Sequence, residues 1–263
     1  TAGDRWMTGS IAIIAALLVP LIGVLGIVGA RHKPNLRETV TLVTATCLFI
    51  LVASLLTPVL AGGRPSISLL EVLPGLSIAF EVEPLGLVFA LIASFLWIVT
   101  SVYAIGYMRA HHEKNQTRFY AYFAVALSST MGIAFAGNMF TLFIFYEILT
   151  LSTYPLVTHS GTAEAKRGGR TYFGILIGTS VAFQLLAIII TYFTVGTLDF
   201  TQGGILAGKA SDVVISLLLL LYVFGVGKAA LMPFHRWLPA AMVAATPVSA
   251  LLHAVAVVKA GVF

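Results

Sequence analysis

Tyr222-Val-Phe-Gly225-Val-Gly227-Lys228-Ala-Ala-Leu-Met-Pro233-Phe-His235-Arg-Trp237-Leu-Pro239 sets a lysine inside an otherwise apolar run. The run extends from about Val213 to Met232, near the roughly 20 residues a helix needs to cross a bilayer. Gly225 and Gly227 let another backbone approach. Pro233 removes a helix hydrogen bond, so a helix break is expected there, with a second at Pro239. Irregular backbone at membrane depth is tolerated only where it is buried or lines a wet cavity. A lysine in that setting is a candidate for changing its charge state. The plain alternative is snorkelling toward the near surface.

Working outward, seven further apolar runs appear: about Ser10–Ala30, Thr39–Ala61, Pro84–Met108, Phe119–Ala136, Met139–Thr158, Tyr172–Val195, and one from Pro247 to the last residue. The fold class that follows is all-α. It is a polytopic membrane helix bundle with about seven complete spans and a truncated eighth, the seventh broken. Composition agrees. Of 263 residues 59% are hydrophobic and 10% charged, against roughly 25% charged in an ordinary soluble domain. A disordered chain, a disulfide scaffold and most soluble folds are excluded. The single cysteine, Cys47, sits in an apolar run and belongs to no metal motif. The first run lacks a basic flank and a cleavage site, and reads as a membrane helix, not a signal peptide.

The seams between runs are polar. Arg31–Glu38 holds Pro34, expected to stop the first helix, and Gly62–Glu83 is rich in Gly, Pro and Ser. Basic residues alternate between seams. Arg31, Lys33, Arg37, Arg109, Lys114, Arg118, Lys166, Arg167, Arg170 and Arg236 fall on one side; Arg5, Arg64 and Lys209 fall on the other. By the positive-inside rule the N-terminus lies outside and the first set faces the cytoplasm. The net charge of +5 is explained this way, and nucleic acid is not an expected partner because no basic stripe is interleaved with exposed aromatics. The chain reads as a single transmembrane domain, residues 1–263, with spans 1–3 in 1–118 and spans 4–8 in 119–263.

Three ionisable residues lie within apolar runs: Glu147, Lys228 and Lys259. Each costs at least roughly 2.5–3.5 kcal/mol at the bilayer centre, so each asks for a reason. Glu147 is nine residues past Asn138 and twelve before His159, which puts it near mid-membrane at ~1.5 Å per residue. Ser152 and Thr153 follow it, able to hold water or satisfy backbone freed by Pro155. A static ion pair is the plain alternative for this carboxylate. Lys259 lies ~18 Å along a helix from Pro247. His253 and His235, with Lys228, can form a proton relay, since imidazole titrates near neutrality. No phosphate loop, nucleophile elbow or paired-histidine metal site is present, so no cofactor and no metal are expected.

The segments around Glu147 and Lys228 resemble the antiporter-like membrane subunits shared by respiratory complex I, membrane-bound hydrogenases and Mrp-type cation/proton antiporters. The resemblance runs from about Glu83 onward. Its most specific part is Gly225-x-Gly-Lys228-x-x-x-x-Pro233-Phe-His235-x-Trp237-Leu-Pro239, followed by Thr246-Pro247-Val-Ser249-Ala-Leu-Leu-His253 and Lys259-Ala-Gly261. The phrase from His253 to Phe263 looks most like the D-type proteins of Mrp antiporters, although Ala240 and Ala245 depart from many relatives.

The resemblance implies proton translocation through a Glu147–Lys228 pair in which the glutamate tunes the lysine's proton affinity. Lys259 would pass protons onward, with His235 and His253 as relay members. It implies a bacterial plasma-membrane location and other integral membrane subunits as partners, with the bilayer, protons and in some complexes sodium. It also implies about fourteen spans in two inverted repeats, so this chain is expected to be a fragment or one part of a split gene. The first reading is an Mrp-type antiporter subunit. The second is a proton-pumping subunit of complex I or a hydrogenase. The third is a non-conducting membrane scaffold.

Overall fold

The computed structural model describes the backbone of residues 2–263 and the side chains from residue 9 on, which leaves the charge of Arg5 outside the described residues. Five helices are long and apolar enough to cross a membrane: Gly9–Gly29, Pro34–Leu60, Pro84–Ala110, Met139–Val157 and Ala163–Val195. In element terms these are α1 (Ala2–Gly29), α2 (Pro34–Ser54) continued by α3 (Leu56–Leu60), α4 (Pro84–Ala110), α6 (Met139–Val157), and α7 (Ala163–Thr179) running through a π-helical segment (Ser180–Leu185) into α8 (Leu186–Val195).

The expected fourth span coincides with α5 (Gln116–Ala134). It falls short of spanning hydropathy because it stands at the centre, packed on α1, α4 and α6. A helix enclosed by other helices need not be apolar all round. Thr130 Oγ1 instead bonds Ala126 O at 2.8 Å, and Ser128 Oγ reaches Leu17 O of α1 at 2.7 Å, the kind of polar contact that joins membrane helices.

The seventh and eighth runs are helical only in pieces: α9 (Asp212–Gly225), a 3₁₀ turn (Gly227–Ala229), α10 (Trp237–Ala241), then a π-helical segment (Val248–Val257) leading into α11 (Val258–Ala260). The seventh helix is broken as expected, but not where expected. It ends at Gly225, eight residues before Pro233, while Pro239 sits inside α10. Tertiary packing sets the break. A Cβ on Gly225 would lie 2.6 Å from the backbone nitrogen of Gln184, and one on Gly227 would lie 2.1 Å from Thr179 Oγ1. Gly225→Ala is expected to cost about 1–3 kcal/mol by overpacking, read as a lower thermal midpoint. Gly106→Ala on α4, where a Cβ meets nothing within 4 Å, should be neutral or slightly stabilising.

Two further expectations are corrected. Pro34 does not stop the first helix; α1 ends at Gly29 and Pro34 opens α2, where its missing N–H costs nothing. The fold is also not purely helical. In the Gly62–Glu83 seam, β1 (Ser66–Leu73) pairs antiparallel with β2 (Leu76–Glu81) around a Pro74-Gly75 turn, Gly75 at φ +75°. Its β-branched and apolar residues suit a strand better than a loop.

This hairpin ties down the start of α6. Gly137 N–H donates to Ala79 O at 2.9 Å and Ala79 N–H to Thr141 Oγ1 at 3.0 Å. Asn138 Nδ2 donates to Ser77 O at 2.7 Å while its Oδ1 caps Thr141 N–H at 2.8 Å. Met139 N–H donates to Leu198 O at 3.0 Å.

The opposite end of the bundle is the basic one. There Arg37 and Glu38, read as loop charges, are 5% and 4% exposed. Glu38 pairs with Arg109 of α4. Arg37 donates to Gln116 Oε1 at 2.7 Å and stacks 5.3 Å from the Tyr120 ring centroid. The burial is tolerable because each charge is paired, and it locks α2, α4 and α5 together.

Candidate functional site

The broken seventh run threads the lysine against α6. Lys228 is 0% exposed. Its Nζ donates to Tyr146 O at 2.8 Å and to Thr150 Oγ1 at 2.5 Å, and lies 3.2 Å from the Tyr146 ring centroid. Its backbone N–H donates to Tyr146 Oη at 3.0 Å. The carbonyl and the hydroxyl satisfy both N–H bonds of a neutral amine. The ring face receives the additional positive charge of an ammonium. The nest therefore accommodates either charge state without leaving a donor stranded.

Glu147 is the next residue along α6. It acts electrostatically on Lys228, yet the two form no ion pair within 4.0 Å among the described residues. Its Oε1 is buried without a hydrogen-bond partner, and Ser180, the first residue of the first π-helical segment, bonds Ile177 O at 3.1 Å. The expected pair is thus adjacent but open.

Other polar groups join this interior. Gln184 Oε1 and Ser249 Oγ are buried and unpartnered, as are both ring nitrogens of His253, which is 0% exposed. The His253 ring lies 6.0 Å from that of Tyr172, whose hydroxyl meets Thr153 Oγ1 at 2.5 Å. Trp237 Nε1 closes the floor by donating to Gly227 O at 2.8 Å. Buried polar atoms left open in this way are ordinarily met by ordered water. Ser180 and Gln184 sit in one π-helical segment, and Ser249 and His253 in the other. A π turn re-aims side chains out of the regular ladder and recurs at functional sites.

Of the expected site, the structure sets Glu147 next to the Lys228 nest on α6, while His253 is buried beside Tyr172. It does not bring in Lys259 or His235. Both are exposed on this chain, Lys259 on α11 and His235 in the irregular stretch before α10. Beside Lys259, Gly261 and Ala229 pack closely, a Cβ on Gly261 meeting Ala229 N at 2.6 Å. Sequence reasoning does not single out Tyr146, Thr150, Ser180 or Gln184. A hydroxyl within one turn of an intramembrane acid is the one available signal for Tyr146 and Thr150.

Known proteins share these segments. Residues 136–263 match the family model described as "NADH:quinone oxidoreductase/Mrp antiporter, TM", and residues 74–120 match "NADH-Ubiquinone oxidoreductase (complex I), chain 5 N-terminus". Among curated members, antiporter subunit mnhA2 of Staphylococcus saprophyticus is 34% identical over 204 residues, covering 76% of this chain and 25% of that protein. The chain belongs to the antiporter-like membrane-subunit family. The mnhA2 protein of Staphylococcus haemolyticus is 31% identical over 229 residues, covering 80% and 28%. The chain thus spans about a quarter of the length of the curated relatives it matches. These antiporter relatives carry an A2 designation, not the D type expected from the phrase between His253 and Phe263.

Two solved structures share the antiporter-like fold. The membrane-bound sulfane sulfur reductase, an archaeal respiratory membrane complex, superposes with TM-score 0.82 at 22% identity, over 95% of this chain and 51% of that one. The Mrp complex from Dietzia sp. DQ12-45-1b superposes with TM-score 0.73 at 23% identity, over 97% and 27%.

Proposed function

We propose that this chain carries a proton-translocating site in a subunit of an Mrp-type multisubunit cation/proton antiporter, moving protons, or sodium and protons, across a bacterial plasma membrane. One observation carries the reading: a fully buried amine, Lys228, held by neutral acceptors beside an unsaturated carboxylate, Glu147. A buried lysine built only for stability would be locked into an ion pair, since an unpaired buried charge is costly. Here the nest suits proton gain and loss. Similarity to antiporter subunits supports the class of reaction.

In this reading protons pass between Glu147 and Lys228 and continue by water to His253. Lys259 and His235 keep the relay roles that the family likeness implies, meeting the path from the surface of the chain. The eight apolar runs cross the membrane as one domain, the first three before residue 118 and the repeat after it. The N-terminus is outside and the basic end is in the cytoplasm, where Arg37, Arg109 and Arg118 gather. The chain works among other integral membrane subunits.

A second reading, a proton-pumping subunit of an NADH:quinone oxidoreductase or hydrogenase, is favoured by the wording of both family models. Purification of the native complex separates the two, since redox subunits would accompany the chain only in the second. Lys228→Arg tests the shared mechanism. Arginine holds its charge permanently, so vesicles carrying the variant complex should build a much smaller pH gradient. Full activity would overturn a titrating lysine and leave the scaffold reading.

A further inference from the structure

At the basic end, the α4–α5 loop, the end of α6 and the start of α7 enclose a cavity of about 750 Å³, within the roughly 300–1,000 Å³ of ligand pockets. Lys114 and Arg118 line it from one side, and Lys166 and Arg170 from the other. Glu113 is the one carboxylate among the lining residues. The positive-inside rule accounts for basic residues at this end, but not for four of them converging on one hollow against a single acid, where they repel one another.

His159 forms part of the wall. Its side chain is 3% exposed, neither ring nitrogen has a hydrogen-bond partner, and Nε2 stands 3.7 Å from Glu113 Oε2. Burial pushes its pKa down, with the Glu113 carboxylate opposing. The imidazole thus lines the cavity, with Glu113 the side chain in ion-pair range of it.

We propose that this cavity binds a phosphate-bearing anion, held by Arg118, Lys166 and Arg170 with His159 beneath. The chemistry is that of charge-assisted bonds to phosphate oxygens, in which arginine is favoured. The phosphate arrives either as the headgroup of an anionic phospholipid, which basic pockets between membrane helices accept, or as the free ion.

The test uses the purified native complex in detergent. One arm follows its thermal midpoint against inorganic phosphate, with sodium chloride at matched ionic strength as reference. The other follows retention of dioleoylphosphatidylglycerol, against dioleoylphosphatidylcholine, by native mass spectrometry. A saturable shift with phosphate assigns the free ion; selective retention of phosphatidylglycerol alone assigns the lipid; both together assign a shared site. In the Lys166→Gln/Arg170→Gln variant the half-saturating concentration of the active probe should rise about tenfold or more, as expected for loss of charged hydrogen bonds. If that variant fails to assemble, Lys114→Gln in the loop serves instead, with a smaller rise. Absence of both signals, a shift equalled by sodium chloride, or one unchanged in the variants overturns the site.

Discussion

Lys228→Ala is expected to abolish pH-gradient formation in everted vesicles carrying the whole complex, a loss of about a hundredfold or more, the scale set by removing a proton-transferring group. The structure makes this substitution informative because its structural side effects are small. Tyr146 O keeps a partner in Thr150 Oγ1 at 3.2 Å, so removing the amine strands no backbone acceptor. Lys228→Met fills the vacated volume without a titratable group. Both variants should assemble to normal abundance by immunoblot and both should be inactive. Near-normal transport by either would sink the proposal that Lys228 handles protons.

Glu147→Ala should have an effect of the same order, for a different reason. Glu147 is the charged neighbour that acts on Lys228, and the two are not locked in contact. Removing the carboxylate leaves the ammonium in a low-dielectric interior with only dipoles to hold it. Gradient formation in the same vesicles should fall to background. Glu147→Gln keeps the shape but not the charge, and should fail equally. Retained activity in Glu147→Gln would mean that the carboxylate serves packing alone, and the Glu–Lys mechanism would be discarded.

Much of the architecture is legible in the sequence because membrane insertion imposes a coarse and strong pattern. Runs of apolar residues separated by charged seams find the helices, although α1 and α7 begin eight and nine residues before the expected Ser10 and Tyr172. Charges inside those runs stand out because they are expensive. That logic finds Glu147 and Lys228, and Lys228 is seated against Tyr146, the residue before Glu147. What escapes it has no such pattern. Glu38 and Arg37 look like any residues of a polar seam, and only the approach of α4 and α5 buries them. The end of α9 at Gly225 is decided by Gln184 across the interface, so a rule that seeks the nearest proline looks eight residues too late. Both π-helical segments depend on packing and carry no marker in sequence spacing.

The hairpin strap has a mechanical consequence. Backbone bonds from β2 and from the 198–200 loop clamp the entry to α6, the helix that bears Glu147, and a regular helix transmits that clamp to its interior. Lys228 instead stands on a short 3₁₀ turn followed by Ala230 at φ +55°, a conformation that non-glycine residues hold only under local strain. In the proposed relay the carboxylate therefore stands on the braced helix and the amine on the irregular support. Under that proposal, a cycle that opens and closes the gap between them is expected to work from the irregular stretch of residues 226–236.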